Sequence, residues 1–175
     1  MTRKPRSPSS ASPFRSPRGR KSWREKLLDD KDLPKTVLPR KGASVGLRSM
    51  PMLVPAPREV DALMRRVPSG KVTTIDELRA ALAKMHELAI TCPITTGIFA
   101  WISAHAADEA AAEGRSRITP YWRTLKAKGE NNPKYPGGID AIAERLEAEG
   151  HEVRRKGKRA FVVTYENALV RPASP

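Results

Sequence analysis

Prolines limit where a compact domain can form in this chain. They occur five times from Pro34 to Pro57, and each removes a backbone donor and fixes one backbone dihedral angle. The residue before a proline is also driven toward extended conformations, so this stretch is incompatible with a long helix or an interior strand. We therefore predict an extended connector with a short helix over residues 23–53, and a compact domain over residues 54–170.

The N-terminal segment consists mainly of serine, proline and arginine. Residues 1–24 hold eight basic side chains and no acidic one, which is more than half of the net charge of +14. Such a segment cannot bury enough apolar surface to offset the entropy cost of ordering, so we predict a disordered basic N-terminal arm over residues 1–22. An electrostatic tether to DNA and a solvated tail without a role of its own both agree with this composition.

The excess of positive charge indicates an anionic partner, most often nucleic acid. A single cysteine, Cys92, excludes a disulfide framework and a cysteine-rich zinc site, and the three histidines are too scattered to pair as ligands, so no metal or cofactor is predicted. No apolar run approaches the ~20 residues of a membrane span, and the basic N-terminus lacks the apolar region of a signal peptide. We expect a cytoplasmic, nucleoid-associated protein.

The spacing of apolar residues predicts a mostly α domain with a small C-terminal β-hairpin. The predicted elements are helices at 59–67, 74–85, 93–113 and 139–149, strands at 151–154 and 160–163, and a short final helix at 165–170. Thr74 and Glu77 predict a capping box at the start of the second helix. Thr95 or Thr96 is the predicted N-cap of the third helix.

The order of these elements is that of a winged helix-turn-helix-like domain. The second and third helices are joined by a short turn, although such pairs are also common in helical proteins without a DNA-binding role. The hairpin carries a basic, glycine-centred turn at residues 155–159. Such a turn resembles a wing that lies against phosphates, and a solvated turn is the alternative.

Four sequence blocks occur in a fixed order over residues 54–169. They are Val-Pro-Ser-Gly-Lys-Val-Thr-Thr at 67–74, Pro-Tyr-Trp-Arg at 120–123, Tyr-Pro-Gly-Gly at 135–138 and Leu-Glu-Ala-Glu-Gly-His at 146–151. Together they resemble the alkylguanine DNA alkyltransferases, in which the second block reads Pro-Cys-His-Arg. The resemblance implies a recognition helix in the minor groove and a damaged guanine that is flipped into a pocket, where a cysteine accepts the alkyl group.

The residues that perform this chemistry are replaced. Tyr121 stands at the position of the nucleophilic cysteine and Trp122 at that of the histidine, so only Glu149 remains of the implied relay. A phenol titrates near pH ~10 and is a poor alkyl acceptor without a base. The chain is thus similar to the alkyltransferase-like proteins, which lack the cysteine and bind alkylated guanine for excision repair. We expect no enzymatic activity; the alternative is residual alkyl transfer at Cys92 or Tyr121.

The resemblance implies a DNA-facing surface and a base pocket. In this alignment Ile94 replaces an intercalating arginine, Ile75 a tyrosine that assists flipping, and Ser103 a hinge asparagine. The candidate DNA-binding residues are Ile94, Thr95, Thr96, Gly97, Ser103, Arg123, Lys126, Arg155, Lys156 and Lys158. The candidate pocket residues are Tyr121, Trp122, Tyr135, Gly137, Gly138 and Glu149. Tyr121 and Trp122 could instead fill the vacated site as part of the core.

These residues predict a monomeric, non-catalytic protein that binds double-stranded DNA and senses alkylated or distorted guanine, with excision-repair proteins as further partners. The alternative is a general nucleoid-type or regulatory DNA binder that reuses the scaffold without lesion recognition. The replaced arginine and tyrosine favour this alternative, because flipping a base costs a few kcal/mol of unstacking that an intercalated side chain partly offsets.

Overall fold

Helices form most of the ordered secondary structure. The computed structural model describes residues 19–38 and 50–173, and this part of the chain contains five α-helices. They are α1 (Trp23–Leu28), α2 (Pro57–Arg65), α3 (Ile75–Met85), α4 (Pro93–Ala112) and α5 (Gly138–Ala148). Short 3-10 turns occur at Tyr121–Arg123, Ala127–Gly129 and Tyr165–Ala168. The predicted mostly helical fold class is confirmed.

The strands of the described residues are short and form three small sheets. They are β1 (Lys35–Val37), β2 (Met52–Val54), β3 (Thr73–Thr74), β4 (Ile90–Thr91), β5 (Thr124–Leu125), β6 (Val153–Lys156) and β7 (Arg159–Val162). Strand β2 pairs antiparallel with β1 and parallel with β4, and β3 pairs parallel with β5. The antiparallel pair β6–β7 is the predicted C-terminal hairpin. Its turn is confined to two residues, Gly157 and Lys158, because both strands lie closer to the turn than the predicted ranges 151–154 and 160–163.

Two predicted helix caps differ from the structure, and α2 begins at Pro57 instead of the predicted residue 59. The Thr74 hydroxyl accepts from the amide of Glu77 at 3.2 Å, but the Glu77 carboxylate accepts from Arg171 at 2.7 Å, so the capping box is only half formed. Helix α4 begins at Pro93, with Cys92 rather than a threonine as its N-cap. Proline suits the first helical position because its missing amide hydrogen would have no partner there.

Helix α4 crosses the centre of the fold and is covered by α1, α2 and α3. Alanines on its inner face, Ala100, Ala104 and Ala107, let these helices approach closely. The core then continues through Leu78 and Leu82 of α3. One continuous core therefore holds the helix-turn-helix pair α3–α4 against the remaining helices.

The segment before residue 54 contributes to this fold. Helix α1, which is the predicted short helix, packs on α4, and the predicted boundary falls within β2. Residues 1–18 of the predicted arm and residues 39–49 of the predicted connector lie outside the described residues. None of the described helices is long and apolar enough to cross a membrane.

Candidate nucleic-acid interface

Tyr121, which the sequence resemblance aligns with a nucleophile, lies in the core. Tyr121 is 2% exposed, and its ring makes an edge contact with the ring of Tyr135 at a centroid distance of 5.9 Å. Burial raises the pKa of both phenols. Trp122 packs beside Tyr121, with the guanidinium of Arg145 at 4.5 Å from the centre of its indole ring. Three of the six candidate pocket residues therefore form one packed aromatic group.

Glu149 is the centre of a compact hydrogen-bond network. Its carboxylate accepts from Arg123 at 2.7–3.0 Å, from the indole of Trp122 at 2.8 Å and from the amide of Gly70 at 3.2 Å. Burial alone would raise the pKa of Glu149, but these donors outweigh it and lower the pKa. Arg123 also donates to the carbonyl of Val67 at 2.7 Å. The structure thus places Arg123 inside the fold rather than on the surface.

The two candidate glycines serve the start of α5. Gly137 and Gly138 have φ of 75° and 66°, in the left-handed region that favours glycine. A Cβ on Gly137 would lie 2.4 Å from the Cβ of Ala141. This collision explains why the chain needs glycine at residue 137 for structural reasons.

The candidate residues of α4 divide between two faces. Thr96 and Ser103 are buried, and their hydroxyls donate to carbonyls one turn earlier at 2.7 and 2.9 Å. Thr95 is half-buried and makes a weaker contact of the same kind at 3.4 Å. In contrast, Ile94 is 72% exposed, and a Cβ on Gly97 would meet nothing within 4 Å. Only Ile94 and Gly97 of this set give α4 an open outer face.

An open cleft of about 560 Å³ lies beside this outer face. Its walls come from α4, from Ile75 at the start of α3, and from residues 126–134, which we call the 126–134 loop. The lining residues are Ile75, Ile94, Gly97, Ile98, Trp101, Lys126, Asn132, Pro133 and Lys134. Apolar side chains therefore meet two lysines in one concave surface.

Six residues of the cleft were not among the candidate site residues from the sequence: Ile75, Ile98, Trp101, Asn132, Pro133 and Lys134. A signal was present, because Ile94, Ile98 and Trp101 lie four and three residues apart, which places them on one helix face. Ile98 is 46% exposed, so this face is not covered by the core. Nothing local in the sequence indicates that the 126–134 loop lies opposite α4.

The 126–134 loop is attached to the hairpin through Glu130. Its buried carboxylate accepts from Lys126 at 2.8 Å and also forms an ion pair with Arg159 of β7. The amide of Asn131 donates to the carbonyl of Ala160 at 2.9 Å. One wall of the cleft is thereby tied to β7.

Acid should weaken this attachment. Hydrogen bonds from Arg159 and then Lys126 lower the pKa of Glu130 to about 2. A carboxylate whose pKa falls on folding contributes stability above its unfolded pKa, and the contribution is lost as pH falls through the folded value. We expect the stability advantage of the wild type over Glu130→Gln to shrink between pH ~4.5 and ~2, as measured by thermal unfolding. Glu152→Gln removes a carboxylate from an exposed ion pair and is the control. A stability difference between wild type and Glu130→Gln that stays constant across this pH window would contradict the prediction.

The hairpin carries the remaining candidate cations. Arg155 forms an ion pair with Asp140, and Arg154 pairs with Glu152 at 3.2 Å; both pairs are exposed and therefore weak. Lys156 and Lys158 are exposed and have no acidic partner among the residues that the structure describes. These lysines can therefore contact an anion without first breaking an ion pair of the described chain.

No protein-family model and no curated protein matches the chain. Among solved structures, the chain is similar to S. pombe Atl1 in complex with damaged DNA containing O6-carboxymethylguanine, with 18% identity and a TM-score of 0.44. It is also similar to S. pombe ATL in complex with DNA, with 19% identity and a TM-score of 0.48. Each comparison covers 66% of this chain and 94% of the other.

Proposed function

We propose that this protein is a non-catalytic DNA-binding protein that senses alkylated or otherwise distorted guanine and presents it to excision-repair proteins. The observation that carries the proposal is the exposed pair Ile94 and Ile98 beside an open cleft that also contains lysines. Exposed apolar side chains that adjoin one another within a polar rim are typical of interaction surfaces. Minor-groove binding proteins insert such side chains between base steps.

The proposed binding geometry follows from the outer face of α4. Its first turns would enter the minor groove, where the open space at Gly97 permits a close approach. Ile94 would act as an apolar wedge at the base step. Lys126, Lys156 and Lys158 would contact phosphates, which supply most of the affinity of DNA-binding proteins.

The site for a displaced base would be the cleft. Tyr121 and Tyr135 are packed in the core, whereas the cleft is open and contains Trp101 in its wall. Stacking on an aromatic side chain contributes ~1–3 kcal/mol per base. The amide side chain of Asn132 can both donate to and accept from a base edge.

A binding role agrees better with the site than alkyl transfer does. Transfer needs a soft, ionised nucleophile. The Tyr121 phenol is buried with a raised pKa, and the Cys92 thiol is also buried.

Among the described residues, no group of three or more His, Cys, Asp or Glu side chains could hold a metal ion.

The test is a titration of the full chain against two matched fluorescent duplexes, one of which contains a single O6-methylguanine. At physiological salt we expect about tenfold tighter binding of the methylated duplex, which corresponds to ~1.4 kcal/mol. Mass spectrometry of the same mixtures should show no added methyl mass. Equal affinity for both duplexes would reject lesion sensing, and a methyl adduct would reject the non-catalytic role.

General DNA binding without lesion recognition is the second candidate. The exposed Lys156 and Lys158 of the hairpin and the basic residues 1–18 favour it, because phosphates bind lysine and arginine whatever the base sequence. This candidate predicts equal affinity for the two duplexes. It also predicts that removal of residues 1–18 flattens the dependence of affinity on salt, by ~0.9 in logarithmic slope for each phosphate that this segment neutralises.

A further inference from the structure

An aromatic cluster joins α1 to the wall of the cleft. The ring of Trp23 stacks on His105 at a centroid distance of 4.5 Å and makes an edge contact with Trp101 at 4.7 Å. Trp101 and His105 also contact each other at 5.2 Å. Because Trp101 lines the cleft, Trp23 supports this wall from behind.

Trp101 and His105 of α4 also contact the opposite wall of the cleft. The indole Nε1 of Trp101 donates to the carbonyl of Lys134 at 3.1 Å, and Nε2 of His105 lies 3.2 Å from the same oxygen. For both to donate, His105 must carry a hydrogen on Nε2. Lys134 belongs to the 126–134 loop, so these contacts set the separation of the loop from α4.

Helix α1 has several contacts that fix its position. A helix of six residues is too short to be stable alone, so its order depends on docking. Ser22 and Glu25 form a reciprocal capping box at its start. The amide of Arg24 donates to Glu109 at 2.9 Å, and its guanidinium donates to Glu113 at 2.6 Å. These contacts hold Trp23 against the aromatic side chains of α4.

We infer that Trp23 is a positioning residue for the cleft, acting through Trp101 and His105 on the 126–134 loop. DNA binding then depends on α1, a segment that precedes the helix-turn-helix unit in the chain. The inference rests on the proposed function for its DNA-binding consequence. Its structural part, control of the loop by Trp23, is measurable without DNA.

The test compares Trp23→Ala, Trp23→Phe and Met85→Ala in the full chain. Hydrogen exchange at the amides of Lys134 and of the adjacent Tyr135 reports on the loop, because both amides donate to Asn132. Titration with methylated duplex reports on binding. We expect Trp23→Ala to accelerate this exchange and to weaken binding about fivefold, or ~1 kcal/mol. Trp23→Phe should restore most of both properties. Met85→Ala removes core packing at the end of α3, from a residue that is not part of the aromatic cluster, and should lower the melting temperature without accelerating exchange in the loop.

The outcomes separate the two proposals. Unchanged loop exchange in Trp23→Ala would overturn the inference. The same acceleration of exchange in Met85→Ala would also overturn it, as would faster loop exchange in Trp23→Ala with unaltered DNA affinity. If the wild-type protein binds neither duplex, the proposed function fails. Loop exchange in the three variants would then still decide whether Trp23 controls the loop.

Discussion

Replacing Glu149 with alanine should lower the free energy of unfolding by about 3–5 kcal/mol, because it removes one partner of a buried ion pair. The side chains of Glu149 and Arg123 are only 12% and 15% exposed. Without the carboxylate, the Arg123 guanidinium keeps one carbonyl acceptor and loses its counter-charge. The indole of Trp122 and the amide of Gly70 also lose their acceptor.

Urea unfolding at neutral pH would measure this loss. Glu147→Ala is the matched control, since it removes an exposed carboxylate two residues earlier, from the last turn of α5, and should change stability by less than ~0.5 kcal/mol. The lowered pKa of Glu149 means that its contribution is present above the unfolded pKa and is lost as pH falls. The difference between wild type and Glu149→Ala should therefore narrow in acid. A decrease in the free energy of unfolding of less than ~1 kcal/mol at neutral pH would be typical of an exposed ion pair and would contradict the prediction.

Replacing Ile94 with aspartate should weaken DNA binding at least ~tenfold, because like charges opposed in an interface cost several kcal/mol. Ile94 is 72% exposed at the start of α4, so the substitution would bring a carboxylate into the proposed minor-groove contact, near the negatively charged backbone, without disturbing the core. The melting temperature should stay close to that of the wild type. The measurement is a titration with both duplexes of the lesion experiment.

Leu28→Asp is the matched control for this variant. Leu28 is an aliphatic residue that is 64% exposed on α1, outside the proposed DNA-facing surface, and the substitution makes the same change in net charge. Leu28→Asp should weaken binding much less than Ile94→Asp does. Equal effects of the two variants would attribute the loss to net charge and remove Ile94 from the interface.

Local signals in the sequence were sufficient to predict the positions of most helices. The predicted helix at 74–85 agrees with α3 because the Thr74 cap and the apolar spacing of Leu78 and Leu82 act within a few turns of the chain. The hairpin agrees for a similar reason, since its glycine adopts the positive φ that a tight turn requires. The helix that begins at Pro93 was also predicted, although its cap was not.

Side-chain roles within these helices depended on distant neighbours. Thr96 and Ser103 were candidates for DNA contacts, but both side chains are buried and their hydroxyls donate to backbone carbonyls one turn earlier in the same helical segment. Arg123 was a candidate for phosphate contact, and Glu149 holds it instead. Only candidate residues on an open helix face, such as Ile94, therefore stay proposals for DNA contact.

The sequence by itself determined the helical class and the hairpin with its basic turn, because each of these is a property of residue types or of short-range spacing. The alignment of Tyr121 with a nucleophile is what the resemblance implies, and it stays an interpretation. Only the tertiary structure decided that Tyr121 is packed in the core, that Glu149 binds Arg123, and that a cleft lies between α4 and the 126–134 loop. These features depend on how helices distant in the chain pack together, and packing selects which face of each helix is buried.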